Sequence, residues 1–194
     1  MARPLRIEYE GAFYHIIQRG IERKHIFLDD KDKKRFLTYL ESANTAYQAV
    51  LHSYVLMDNH YHLILETPCA NLSKIMHYVN TSYAVYYNAR HRRVGSLYQG
   101  RYKSILVQAE EYLHYLSRYI HLNPLRANIV NRPEEYLWSS YRYFSSEEKA
   151  PGYLDTGFIL SMFDRKQKKA KRLQNKTGSG QQFRKINNSI SQPS

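Results

Sequence analysis

Apolar positions along this chain switch between a period of two and a period of three to four, and the switches lay out an order of elements. Ala12-Phe-Tyr-His-Ile-Ile-Gln18 is an apolar, aromatic run that predicts a strand ending at the turn-prone Gly20. Asp29-Asp30 predicts the start of a helix reaching about Tyr47, with Phe36, Leu37 and Leu40 on one stripe. Residues 50–57 and 60–66 predict two further strands. Asp58-Asn59 between them suits a two-residue type I′ turn, because both residues tolerate positive φ. Pro68 breaks the second of these strands, and Asn71 predicts the cap of a helix to about Arg90, with Leu72, Ile75, Met76 and Val79 as its apolar face. After a loop over 95–100, residues 102–107 predict a fourth strand, Tyr102, Ser104 and Leu106 alternating against Lys103, Ile105 and Val107. Glu110-Glu111 favours another helix start, and Pro124 halts that helix just after Asn123. Its core stripe is Leu113, Leu116 and Ile120.

The order β-α-β-β-α-β predicts an α+β fold of the ferredoxin-like split βαβ type, an antiparallel sheet with helices on one face. The helix near residue 120 is an addition to that core, and residues 131–164 predict a shorter helical appendage around Trp138. Periodicity stops at Arg165. With Gly178-Ser-Gly180 and an Asn/Ser/Gln-rich end, residues 165–194 predict a basic, disordered tail behind one domain over 1–164.

Composition narrows the picture. Among 194 residues there is no 18-residue apolar stretch, and the N-terminus lacks the apolar core of a secretory signal. Cys69 is the single cysteine, which excludes an intramolecular disulfide and a cysteine zinc cluster. A cytoplasmic, nucleoid-associated location is the expectation. The net charge of +12 favours polyanions such as nucleic acid. Nine of the 29 Lys/Arg lie in 165–194, leaving 20 against 17 acids elsewhere, so bulk charge does not decide the function. The 19 tyrosines are mostly assigned to half-buried strands with wet hydroxyls, although those interleaved with cations could stack on unpaired bases.

The candidate chemistry begins at His60-Tyr-His62. On a strand the two imidazoles share a face, about 6.6 Å apart along the chain, a spacing suited to one ion. The apolar Leu63-Ile-Leu65 that follows makes the strand a costly place for idle imidazoles. Tyr119 and Asn123 share a helix face one turn apart, and Asn123 offers an oxygen as third ligand. Two imidazoles and a carboxamide suit Mg²⁺ or Mn²⁺ shared with a phosphate, with zinc chemically possible. Tyr119 is the candidate nucleophile. A phenol titrates at about 10, and a cation on the scissile phosphate would help it react at neutral pH.

Four stretches resemble the REP-associated tyrosine transposases, single-tyrosine HUH enzymes related to the insertion-sequence-200-like transposases. They are Met1-Ala-Arg-Pro-Leu-Arg-Ile-Glu-Tyr9, Leu56-Met-Asp-Asn-His-Tyr-His-Leu63, Gly95-Ser-Leu-Tyr-Gln-Gly-Arg-Tyr-Lys-Ser104 and Arg118-Tyr-Ile-His-Leu-Asn-Pro-Leu-Arg-Ala127. The resemblance implies His60, His62 and Asn123 as metal ligands and Tyr119 as the nucleophile that forms a 5′-phosphotyrosine. It also implies a ferredoxin-like fold, a monomer or homodimer, and single-stranded hairpins of repetitive extragenic palindromes as substrate. Asp58 stands where the family usually has proline, and Asn128 where glycine is commoner. Arg3 and Arg6 resemble the family's arm for a hairpin. Arg101 and Lys103 beside the fourth strand, with Lys168, Lys169 and neighbouring cations of the tail, are further candidates for DNA contact. The sequence is open to two other readings: a sheet that binds single-stranded RNA or DNA through exposed tyrosines, and a domesticated, non-catalytic DNA-binding regulator.

Overall fold

In the computed structural model, which describes residues 7–108 and 110–163, one antiparallel sheet carries the architecture. Strand β1 (Ala12–Arg19) leads to helix α1 (Asp30–Tyr47), then β2 (Val50–Met57), β3 (His60–Thr67), helix α2 (Leu72–Arg90) and β4 (Lys103–Val107). The sheet order is β2-β3-β1-β4, with β3 and β1 central, and the topology is the ferredoxin-like one. Helices α3 (Glu110–His121) and α4 (Asn123–Arg126) follow. Contacts divide the chain into units 1–159 and 160–194, and every element named here belongs to the first. The expectations for Arg3, Arg6, Lys168, Lys169 and the basic tail lie outside the described residues.

Period-two alternation assigns the layers. Tyr14 and Ile16 of β1, Tyr54 and Leu56 of β2, and Tyr61, Leu63 and Leu65 of β3 form one buried core with Phe36 and Leu40 of α1 and Ile75, Met76, Val79 and Tyr83 of α2. The alternate residues, among them His15, Ile17, His60 and His62, therefore line the opposite face. Helix α3 lies on that second face: Ser117 Oγ is 2.8 Å from Ser53 Oγ of β2, and the ring of Tyr119 packs near His15 and His62. Residues 138–140 and 154 bridge to β2 and cover its edge, Leu56 N–H donating to the Trp138 carbonyl at 2.9 Å.

Three local features depart from the pattern read from sequence. The Asp58-Asn59 turn has two residues, as expected, but neither has positive φ. Tertiary bonds hold it instead: the Asp58 carbonyl accepts from Ile26 and Phe27 N–H at 2.8 and 2.9 Å, and its carboxylate accepts from Lys33 Nζ at 2.8 Å. Asn71 stands at the N-terminus of α2 without capping it, because its Nδ2 donates to the Tyr47 carbonyl at 2.9 Å. Glu8 takes over, accepting from Ser73 N–H at 3.1 Å. In β2 the register shifts between Leu51 and Ser53, a bulge that leaves His52 as the extra residue. Asn128 has φ of +56°, which accounts for a position where glycine is the easier residue.

Candidate active site

Strand pairing sets the floor of the site. His60 lies opposite Met57 on one side and Arg19 on the other, while His62 lies between Val55 and Ile17. Ile17 in turn pairs with Lys103, and Ile64 pairs with His15, which pairs with Ile105. At about 4.8 Å per strand, Arg19 is one strand from His60, and Lys103 is two strands, about 10 Å, from His62.

The two histidines of β3 have rings 5.2 Å apart, nearly perpendicular at 84°. Each has one ring nitrogen engaged. His60 Nδ1 lies 2.6 Å from Asn59 Oδ1, and His62 Nδ1 lies 2.9 Å from Nε2 of His15. A ring held at Nδ1 presents Nε2 outward, the arrangement in which an imidazole ligand is oriented by a second partner. Burial pushes His62 down to about 3, helped by the neighbouring His15 and His60, and pushes His15 down to about 4. His60 is lowered by the same cause. All three rings are therefore neutral near pH 7, the state that has a lone pair to give.

Tyr119 comes from the other layer. Its ring centroid is 6.0 Å from that of His62 and 6.3 Å from that of His15, edge-on to both. The Arg126 guanidinium sits 5.0 Å over the same ring, a cation–π contact. Asn123 is the first residue of α4 and not the last of α3, since α3 ends at His121. The reason is Pro124, which has no amide to give the Ile120 carbonyl. Asn123 Nδ2 fills the gap, donating to the carbonyls of Tyr119 at 2.9 Å and Ile120 at 3.3 Å. That use of the amide nitrogen leaves Oδ1 as the carboxamide's remaining acceptor.

The structure thus brings His60, His62 and Tyr119 together, with Asn123 one helical turn beyond Tyr119. Lys103 shares their sheet face, while Arg101 does not: it lines a cleft of about 270 Å³ with Gln18, His77, Asn80 and Tyr98 on the side of α2. Three residues here escaped the sequence reading: His15, Arg19 and Arg126. For His15 the signal was present, an imidazole inside an apolar strand, the argument already used for His60 and His62. Arg19 and Arg126 carry no signal without the pairing that places them. The donor set fits a divalent cation: two neutral imidazoles on one face with Nε2 outward, and a carboxamide oxygen left free by its own helix. Among the described residues, no group of three His, Cys, Asp or Glu could hold a metal.

His121, beside this site in sequence, is not part of it. It is buried, with Nε2 2.8 Å from Ser140 Oγ, and burial pushes it down to about 3. An unfolded histidine titrates at about 6.5, so between pH 6.5 and about 3 the unfolded chain takes protons that folded His121, His62 and His15 refuse. Their contribution to stability is complete above about pH 6.5 and is lost as pH falls through that window. The thermal midpoint is expected to fall by more than about 5 °C from pH 7 to pH 4. A flat or rising midpoint in scanning calorimetry would contradict these environments.

A model of the IS200-like transposase family matches residues 8–123, a stretch running from just before β1 to Asn123. The solved structure of a REP-associated tyrosine transposase bound to a REP hairpin is similar, with a TM-score of 0.63 at 13% identity over 78% of this chain and 89% of that one. At that identity the likeness speaks for the fold. A crystal structure of a proposed transposase from Deinococcus radiodurans R1 is 19% identical, with a TM-score of 0.43 over 61% of this chain and 95% of that one. No curated protein matches the chain in sequence. With more than half of its length matched by the family model, and with the sheet, α3 and the histidine pair all inside that match, this chain belongs to the IS200-like transposase family.

Proposed function

We propose that the protein is a metal-dependent single-stranded DNA endonuclease and strand-transferase that cuts at palindromic hairpins through Tyr119. One observation carries the reading: the half-exposed Tyr119 ring on α3 lies 6.0 Å from His62, on the sheet face that also presents His60. A nucleophile and two neutral ligand-type side chains, supplied by separate layers, meet at one place.

A bound Mg²⁺ or Mn²⁺, held by His60, His62 and Asn123, would neutralise charge on the scissile phosphate and polarise it. The chain's own groups do the rest. Tyr119 Oη attacks the phosphorus, the bond from phosphorus to the 3′ oxygen breaks, and the phenolic proton ends on that oxygen as a free 3′-OH. The 5′-phosphate stays on Tyr119 as a phosphodiester, so a 3′-OH can attack it in reverse and rejoin the strand. Arg126, over the tyrosine ring, offsets the negative charge that builds there. A hairpin as substrate is supported by the REP hairpin bound to the similar solved structure. A nucleoid-associated, cytoplasmic location is part of the same reading; among the described residues no helix is long and apolar enough to cross a membrane.

The test is incubation with end-labelled single-stranded hairpins and Mg²⁺ or Mn²⁺, followed by denaturing gels. A covalent adduct carrying the label from the 3′ side of the break is expected. Tight binding with no adduct, across both metals and many hairpins, would leave a DNA-binding regulator in its place. A second measurement isolates the cation. His15 fixes His62 through the 2.9 Å bond to its Nδ1, so His15→Ala is expected to weaken Mn²⁺ binding about 10–100-fold in calorimetric titration. Unchanged Mn²⁺ affinity would remove His15 from the site.

A further inference from the structure

Helix α3 pairs a buried aliphatic stripe with an exposed aromatic row. Its inner stripe, Leu113, Leu116 and Ile120, is buried, as expected of a helix packed on a sheet. The outer face of such a helix is ordinarily charged. On α3 the flank beside the buried stripe carries Tyr112, Tyr115 and Tyr119, at spacings of three and four residues, with relative exposures of 58%, 56% and 40%. The rings of Tyr112 and Tyr115 are 6.4 Å apart, and the third ring is the candidate nucleophile.

Charge along this face points to the occupant. Beyond Glu110 and Glu111 of its first turn, α3 and α4 have no Asp or Glu, while Arg118 and Arg126 fall in the same stretch. Arg118 is exposed and adjoins Tyr115 at the next helical turn, and Arg126 sits over Tyr119. Exposed rings flanked by Arg118 and Arg126, with the acids of the helix confined to its first turn at Glu110 and Glu111, suit a single-stranded polyanion whose bases stack while its phosphates meet arginine. The rise between successive tyrosines is roughly 4.5 and 6 Å. That exceeds the 3.4 Å between stacked bases of a duplex strand, so the track suits unpaired, splayed bases.

We propose that Tyr112 and Tyr115 form a base-stacking track on α3 that holds the unpaired DNA strand next to the hairpin and leads its scissile phosphate to Tyr119. The proposal rests on the nuclease reading and adds the path by which the strand arrives. Neither residue takes part in the chemistry. They are binding residues for the flanking bases.

The experiment measures binding of a fluorescein-labelled hairpin with a single-stranded flank, by anisotropy in Mg²⁺, for wild type, Y112S/Y115S and Y112F/Y115F. The serine pair is expected to weaken binding about tenfold or more per ring, the phenylalanine pair by less than about threefold, since stacking needs the ring and not the hydroxyl. Wild type should lose as much when the flanking bases are replaced by abasic sugars, and the serine pair should then lose nothing further. Circular dichroism melts of all three proteins check folding. Equal binding by the serine pair and wild type would overturn the track, as would a phenylalanine pair as weak as the serine pair. Covalent adduct formation in the same samples separates the two ideas: adduct with an unaffected serine pair sinks the track alone, whereas no adduct in wild type sinks the nuclease reading. If the abasic effect disappears with the serine pair while no adduct forms, the track stands as part of a binder.

Discussion

Replacing Tyr119 by phenylalanine is expected to abolish the covalent DNA adduct while leaving the hairpin bound within about threefold. The substitution removes one oxygen from a half-exposed ring whose hydroxyl has no hydrogen-bond partner among the described residues, and it keeps the edge contacts with His15 and His62 and the face offered to Arg126. Folding and binding should therefore change little. Cleavage should fall by at least about a thousandfold, equivalent to roughly 4 kcal/mol of transition-state stabilisation, because water would have to replace the phenol as nucleophile. Denaturing gels with wild type and variant side by side measure both quantities. An adduct that persists in Tyr119→Phe would move the nucleophile to another side chain and remove the central claim about α3.

The second large effect is on stability. Phe36 is fully buried in α1, with ring centroids 4.6 Å from Tyr61, 5.2 Å from Tyr83 and 5.4 Å from Phe27. Phe36→Ala removes the ring around which those three aromatics pack, and rigid neighbours close poorly on the space left. The expected loss is about 3–5 kcal/mol, a large part of the roughly 5–15 kcal/mol typical of a domain. Its consequence reaches the site, since Tyr61 lies between His60 and His62 on β3 and anchors that strand from the core side. Urea denaturation should show the lower midpoint with an unchanged slope. A loss below about 1.5 kcal/mol would show a core that repacks, contrary to the observed interlocking of rings.

Much of this molecule is legible from periodicity. The six core elements fall where the alternation of apolar residues places them, because buried strands and amphipathic helices write their own spacing. His60 and His62 share a face for the same local reason. What the sequence does not display is what depends on partners far away in the chain. Asp58 holds its turn without positive φ because Lys33, Ile26 and Phe27 supply the bonds that a free hairpin would lack. Asn71 does not cap α2 because the end of α1 claims its side chain. The bulge at His52 leaves no mark in Val50–Met57, whose residues alternate plausibly without it. His15, Arg19 and Arg126 enter the site by strand pairing and helix placement, neither of which has a local signature.

Asn123 shows how two demands can narrow one position. Its amide nitrogen occupies carbonyls at the end of α3, one of which Pro124 cannot serve, and its oxygen is what the proposed cation would use. Aspartate keeps an oxygen but has no donor for Ile120. Glutamine keeps both groups but carries them one methylene too far to serve those carbonyls with the same geometry. Alanine loses both. The proline that follows therefore leaves a carbonyl that a short carboxamide serves, and in serving it Asn123 commits its donor and keeps its acceptor. Substitution at 123 would be read as loss of activity, yet part of that loss would come from a frayed helix end. The position is thus less replaceable than either of its duties alone would make it.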